Sequence, residues 1–236
     1  MKRLLFILAA LLLLASCSGK KGGPTPQVCP EGAVDLGIVM TRENGTTYKL
    51  FWAKSNLSAD GLCENPWDYG DYFAWGETEP KDSYTKYSYQ YCSLSYIMLK
   101  YNEEDHLSQL QTGRGRDETR DDAAWAILDG NWRMPTGDEW DALFDNCDWR
   151  WTKRNDINGY LVTSRINGEC IFLPAGGGKS QSSLDYLGGY GYYWSSSLDL
   201  DHQFPYKGRI VAFHSERAFW DAQDRYRGFS IRPVSE

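Results

Sequence analysis

The chain has 236 residues, of which 32 are acidic and 25 are basic, so its formal net charge at pH 7 is −7. A chain this acidic gains nothing from a phosphate backbone unless it carries a segregated basic face, which argues against nucleic-acid binding. Aromatic residues are abundant, with 10 Trp, 16 Tyr and 9 Phe.

The first residues have the three parts of a bacterial secretory signal. Lys2 and Arg3 form the positive n-region, and residues 4–14 are an apolar run shorter than a comfortable membrane span. The Leu-Ala-Ser that precedes Cys17 resembles a lipobox, in which the cysteine thiol is acylated before cleavage. We expect residues 1–16 to be removed as a lipoprotein signal peptide and Cys17 to carry the membrane anchor. The alternative is an ordinary signal peptide with an incidental cysteine.

The lipidated Cys17 begins a short linker and is followed by a single domain. Residues 17–31 are rich in Gly, Pro, Lys and Ser and predict a flexible tether. Residues 32–236 contain no second linker and predict one domain. Ser18 lacks the acidic character that often retains lipoproteins at the inner membrane, so we expect an outer-membrane lipoprotein on the periplasmic face or the cell surface.

Five cysteines remain once Cys17 is assigned to lipid. They are Cys29, Cys63, Cys92, Cys147 and Cys170. In an oxidising compartment this odd number allows at most two disulfides and leaves one thiol. No two of them have CxxC spacing, so neither a zinc site nor a thioredoxin-like site is indicated.

Asn-Gly pairs predict β-hairpins, because both residues tolerate the positive φ angles of tight turns. Asn167-Gly168 and Asn44-Gly45 each separate two β-prone segments, whereas Asn158-Gly159 predicts a loop. The predicted strands are Ile38–Arg42, Thr46–Trp52, Tyr160–Ile166, Glu169–Leu173, Gly191–Ser195, Arg209–His214 and Gly228–Val234.

Two helices are predicted in the middle of the chain. The first, Asp121–Leu128, is short and has acidic residues at its N-terminus. The second begins with a capping box, Thr136 and Glu139, followed by an apolar stripe from Trp140 to Cys147. Few helices among many short strands predict an α+β fold class.

Five segments, taken in order, resemble one family. They are Asp68–Lys81, Asn131–Cys147, Ile171–Gly177, Gly191–Ser197 and Gly228–Val234. Together they are similar to the Fibrobacter-type major paralogous domain family, found in many lipoproteins of Bacteroidetes-like bacteria. The similarity covers the chain from about Ala33 to the C-terminus.

That family in turn resembles the C-type-lectin-like fold shared with formylglycine-generating enzymes. The resemblance implies short antiparallel strands, two main helices, and first and last strands that lie close together. It also implies long loops on one side, with a binding surface built by the loops between Gly176 and Tyr226.

The sequence lacks the groups that an enzyme of this type would need. Formylglycine-generating enzymes hold copper with two thiolates near the C-terminal strands, but no cysteine follows Cys170. The three histidines, His106, His202 and His214, match no metal-ligand spacing. We therefore predict no catalytic residues. The alternatives are a metal-dependent oxidase or a divergent hydrolase, for which Glu77 and Glu79 are candidate acids.

No cofactor is predicted. The Glu-Pro-Asn and Gln-Pro-Asp motifs of calcium-dependent sugar-binding lectins are absent, and Glu64-Asn65-Pro66 has the residues in another order. The sequence predicts no metal ligands. The alternative is a structural calcium ion bound in a loop.

Aromatic residues near the C-terminus suggest recognition of a glycan or a protein, because rings beside short polar groups give contact area at small entropic cost. For Trp140, Trp194, Phe213 and Phe229 we expect burial in the core. The predicted ligand-binding residues lie in presumed loops and are Phe204, Tyr206, Phe219, Trp220 and Tyr226. A structural subunit of a surface appendage is a third interpretation.

Overall fold

The computed structural model describes residues 27–95, 97–102, 107–110, 121–128, 132–200 and 207–236. The fold is mostly β. The strands of this part of the chain form five small antiparallel sheets, and two short helices accompany them.

Three of the sheets have three strands each. The terminal sheet has the order β1-β2-β13 and consists of β1 (Ala33–Thr41), β2 (Thr47–Ala53) and β13 (Val234–Ser235). The outer sheet consists of β5 (Cys147–Arg154), β6 (Ile157–Ser164) and β7 (Cys170–Pro174). The central sheet consists of β10 (Gly191–Asp199), β11 (Lys207–His214) and β12 (Arg217–Gln223).

The remaining elements are short. Two hairpins are made by β3 (Leu57–Ser58) with β4 (Gly61–Leu62), and by β8 (Gly178–Ser180) with β9 (Ser183–Asp185). The helices are α1 (Ala123–Ile127) and α2 (Gly137–Asn146).

The central sheet is covered on both faces, because successive side chains of a strand point in opposite directions. On one face of β10, Tyr193 packs in a cluster with Trp52 and Trp140. On the other face, Trp194 packs in a second cluster with Phe73 and Trp75. Trp140, Trp194, Phe213 and Phe229 are all buried, which confirms the core prediction for these four residues.

Both predicted helices are present. The predicted capping box of α2 is confirmed, since the Thr136 hydroxyl accepts from the Glu139 N–H and the Glu139 carboxylate accepts from the Thr136 N–H. Asp122 caps α1 by accepting from the N–H groups of Ala124 and Trp125. Helix α1 has only five residues, little more than one turn.

The predicted α+β, C-type-lectin-like fold with two main helices is wrong. The structure is mostly β, and α2 alone reaches ten residues. The apolar stripe of α2 ends sooner than predicted, because Cys147 already pairs with Ser164 as the first residue of β5. Both β5 and β12 are strands that the sequence pattern had not indicated, and they move the balance from helix to sheet.

Candidate ligand-binding groove

A row of side chains across the central sheet forms the floor of a groove. Tyr192 of β10 pairs with Ala212 of β11, and Ala212 pairs with Phe219 of β12. Residues paired in this way point to the same face of a sheet. Tyr192 and Phe219 therefore lie on the same face of the sheet, on either side of β11, and both line the groove.

The groove has a volume of about 330 Å³, and most of its apolar wall is aromatic. Besides Tyr192 and Phe219, Tyr186 and Tyr190 come from the segment after β9, and Phe229 comes from the segment after β12. Its volume is at the lower end of the roughly 300–1,000 Å³ range of small-molecule sites.

The rings of the groove support one another. Tyr190 and Tyr192 are nearly parallel, with centroids 5.8 Å apart, and Tyr192 contacts Phe229 at 5.1 Å. His214 bridges the two sides, at 5.2 Å from Tyr190 and 5.8 Å from Phe219. Burial, with the nearby phenols of Tyr190 and Tyr186, raises the pKa of Tyr192 to about 12, so its hydroxyl stays neutral. The groove is therefore a fixed aromatic surface.

Polar side chains surround these rings. Asp221 and Gln223 project from β12, and Asp185 and Arg227 complete the rim. Both carboxylate oxygens of Asp221 are engaged by its neighbours, the Ala222 N–H at 2.8 Å and the Gln223 amide at 2.9 Å. Rings with a rim of hydrogen-bonding groups suit a ligand that has apolar faces and polar edges.

No family model, curated protein or solved structure matches the chain. The resemblance to the Fibrobacter-type major paralogous domain family therefore stays a prediction.

The predicted ligand-binding residues do not form one site in the structure. Phe219 lines the groove. Tyr226 lies in the turn after β12, packs beside the cluster that contains Tyr84, and donates from its hydroxyl to Asp224 at 2.7 Å. Phe204 and Tyr206 lie outside the described residues.

Trp220 points away from Phe219. Both residues belong to β12, so the prediction that they lie in a loop is wrong, and as neighbours in a strand they face opposite sides. The Arg209 guanidinium lies 3.8 Å from the centroid of the Trp220 ring, and the indole Nε1 donates to Asp141 at 2.6 Å. This ring is already covered by protein groups.

A larger groove of about 560 Å³ lies on the Trp220 side, lined also by Lys207 and Arg209. This groove is the larger of the two, but among the described residues that line it Trp220 is the single aromatic ring, and Arg209 covers that ring. The smaller groove, which is lined by five rings, is therefore the candidate binding site.

Three tyrosines of the groove, Tyr186, Tyr190 and Tyr192, are not among the predicted site residues. All three follow β9 within a stretch dense in Tyr and Gly, so composition alone indicated an aromatic region. Their approach to Phe219 depends on the pairing of β10 with β11 and of β11 with β12, which the local sequence does not specify.

Of the two acids considered for catalysis, only Glu77 has structural partners among the described residues. Glu77 is 7% exposed, pairs with Lys81 at 2.6 Å and accepts from the Gln90 N–H at 2.8 Å, whereas Glu79 is exposed. Burial raises the pKa of the Cys63 and Cys147 thiols to about 11, which makes them poor nucleophiles at neutral pH.

Three further observations concern cysteines, metals and membranes. Cys29, Cys63, Cys92, Cys147 and Cys170 are unpaired thiols. Within the described ranges, no group of three or more His, Cys, Asp or Glu side chains is placed to hold a metal ion. No helix in that same part of the chain has the length and apolar character needed to cross a membrane.

Proposed function

We propose that this protein is a lipid-anchored, extracytoplasmic binding protein that recognises a glycan through the aromatic groove beside Phe219, without catalysis. The observation that carries the proposal is the set of five rings with Asp185, Gln223 and Arg227 at their rim. Pyranose rings have apolar C–H faces that stack on aromatic rings and equatorial hydroxyls that need polar partners, and the groove offers both.

The dimensions of the groove favour a glycan over a protein. A stable protein interface buries about 800 Å² on each partner and is usually broad. A concave site of about 330 Å³ instead suits one or two sugar rings.

The acidic groups of the groove favour binding over hydrolysis. Glycosidases use two carboxylates, one as acid and one as base or nucleophile. In this groove, the Asp221 carboxylate accepts hydrogen bonds from Ala222 and Gln223. Of the described acids that line the groove, this leaves Asp185 as the one without a hydrogen-bond donor. The proposed binding uses side chains alone, so we expect it to survive EDTA.

Two substitutions on one strand test the groove. Phe219→Ala removes a ring from the groove wall, and we expect it to weaken glycan binding about tenfold, since an aromatic contact is worth about 0.5–1.5 kcal/mol beyond the area that it buries. Trp220→Ala, one position further along β12, is the matched control and is expected to retain binding because its ring faces the other side. The measurement is a glycan array followed by titration calorimetry with the strongest hit, with and without EDTA. Equal losses in both variants would contradict the assignment.

The membrane anchor is tested separately. Cys17→Ser removes the thiol that would be acylated, and the tether after it is too polar to bind a membrane alone. We expect wild-type protein to incorporate labelled palmitate and to sediment with the envelope, and Cys17→Ser to do neither. Cys29→Ser, which changes an exposed cysteine of the tether region, is the control and should behave like wild type. Membrane association of an unlabelled Cys17→Ser protein would rule out this anchor.

A further inference from the structure

Two charged side chains of the groove have no partner in the described part of the protein. The Nε of Arg227 is shielded from solvent and makes no hydrogen bond there. Asp185, at the end of β9, lines the same groove, and its carboxylate makes no hydrogen bond or ion pair with those residues, Arg227 included. A free donor and a free acceptor therefore border one aromatic floor.

An orphaned donor of this kind needs an explanation. A buried polar group without a partner costs about 1–3 kcal/mol, and most such groups in folded proteins are satisfied by protein or by ordered water. At the wall of a groove, a ligand hydroxyl can take the place of that water. The backbone on either side of Arg227 is fixed, because its N–H donates to the Asp224 carbonyl and Gly228 pairs with Lys179. The Arg227 side chain therefore starts from a fixed backbone position and lines the groove, and its Nε has no acceptor among the described residues.

The charge of the groove selects among ligands. Asp185 and Asp221 carry two negative charges and Arg227 carries one positive charge, so the net charge of the lining is −1. A uronic or sialic acid carboxylate would meet Arg227 but would also lie close to two carboxylates, in a protein whose overall charge is −7. Hydroxyl groups both accept and donate, so they can satisfy Arg227 and Asp185 together.

We infer that Arg227 and Asp185 determine the specificity of the groove for a neutral sugar, with the guanidinium donating to one hydroxyl and the carboxylate accepting from another while the sugar stacks on the Tyr192 and Phe219 rings. This inference rests on the proposed glycan binding and adds the class of ligand and the two groups that select it. Removal of either group should weaken binding without removal of the aromatic floor.

The test compares neutral with acidic glycans. Full-length mature protein is applied to an array of neutral, uronic-acid-containing and sialylated glycans, and the strongest neutral hit is titrated by calorimetry. We expect the neutral glycans to dominate the hits. Arg227→Met and Asp185→Asn should each weaken the titrated glycan about tenfold, the usual effect of losing one charged hydrogen bond in a binding site.

Matched controls lie on an exposed edge of the outer sheet. Arg150→Met on β5 and Asp156→Asn in the following turn make the same chemical changes away from the groove and should bind like wild type. Near-UV circular dichroism checks that each variant is folded. If Arg227→Met fails this check, the isosteric Asp185→Asn variant decides the question alone.

Three outcomes overturn the inference. Preference for uronic or sialylated glycans would show that Arg227 pairs with a ligand carboxylate, and glycan binding itself would stand. Unchanged affinity of both variants for the neutral glycan would show that other groups select it. An array without hits, together with no effect of Phe219→Ala in any binding assay, would remove the proposed function and this inference with it.

Discussion

The buried carboxylate of Glu139 accepts hydrogen bonds from three different residues. Its carboxylate accepts two hydrogen bonds from Arg133, at 2.5 and 2.7 Å, one from the Tyr48 hydroxyl at 2.8 Å, and one from the Thr136 N–H at 2.9 Å. Burial alone would raise the pKa of Glu139, but the bonds and charge of Arg133 outweigh it, and the pKa is lowered. The ionised form is therefore the one that stabilises the fold.

We expect Glu139→Gln to lower the free energy of unfolding by about 3 kcal/mol at pH 7, because it leaves the buried Arg133 without its carboxylate. Since the folded-state pKa lies below the unfolded value, the stabilisation is present above pH 4.5 and is lost as the pH falls through the folded-state pKa. Urea denaturation at pH 7 and near pH 3 should show a smaller difference between the proteins in acid. Asp138→Asn, an exposed acid in the same turn, is the control. A difference that is constant with pH would contradict this account.

At the scale of elements, the Asn-Gly hairpins are the part that sequence predicted best. Both pairs lie between antiparallel strands, as β1 with β2 and β6 with β7. In each pair only the glycine, Gly45 or Gly168, has a positive φ, so the turns are longer than the two-residue type that the dipeptide suggested. The strands predicted at Gly191–Ser195 and Arg209–His214 are also confirmed, within β10 and β11. For the two hairpins, the Asn-Gly dipeptide was enough to locate the turn between the strands.

The prediction of a loop at Asn158-Gly159 is wrong, and the position of the pair in the structure gives the reason. Both residues lie inside β6, and the turn comes earlier, at Asn155-Asp156, where φ is 48° and 64°. A Cβ on Gly159 would lie 2.3 Å from the Leu173 carbonyl oxygen, so this glycine is required by close packing against β7. The requirement for glycine at this position comes from β7, which is distant in sequence, so the residues around Gly159 do not indicate it.

The groove was only partly predictable for a similar reason. Phe219 was identified from aromatic density, but Trp220 was identified by the same criterion and faces the other side. In β12 both faces carry apolar groups, because the central sheet packs on two cores, so the strand lacks the polar alternation of a half-exposed sheet. Without that alternation the strand resembled a loop, and the register that separates the two rings was hidden.

At the scale of the whole molecule, Arg232 joins the terminal sheet to the outer sheet. It is fully buried and donates to Asn56 Oδ1 at 2.9 Å, the Ala53 carbonyl at 3.1 Å and the Phe172 carbonyl at 2.8 Å. Ala53 ends β2 and Phe172 lies in β7, so one guanidinium bonds the terminal sheet and the outer sheet from the C-terminal segment. No carboxylate among the described residues forms an ion pair with it, and burial lowers its pKa.

Two effects compete at Arg232, and their balance gives a prediction. Replacing a buried charge by a well-packed apolar side chain can be neutral or stabilising, because the charge no longer has to be desolvated. In this site, however, Arg232→Met would leave three buried acceptors unsatisfied, at about 1 kcal/mol or more each. We expect the second effect to dominate, with a loss of about 3 kcal/mol in the free energy of unfolding measured by urea denaturation.

Two variants serve as controls. Arg232→Lys should lose less stability, since an ammonium group still donates three hydrogen bonds. Arg154→Met, at an exposed strand end, should change the free energy of unfolding little. An Arg232→Met protein as stable as wild type would mean that the terminal and outer sheets are joined by apolar packing alone and that the guanidinium adds nothing to it.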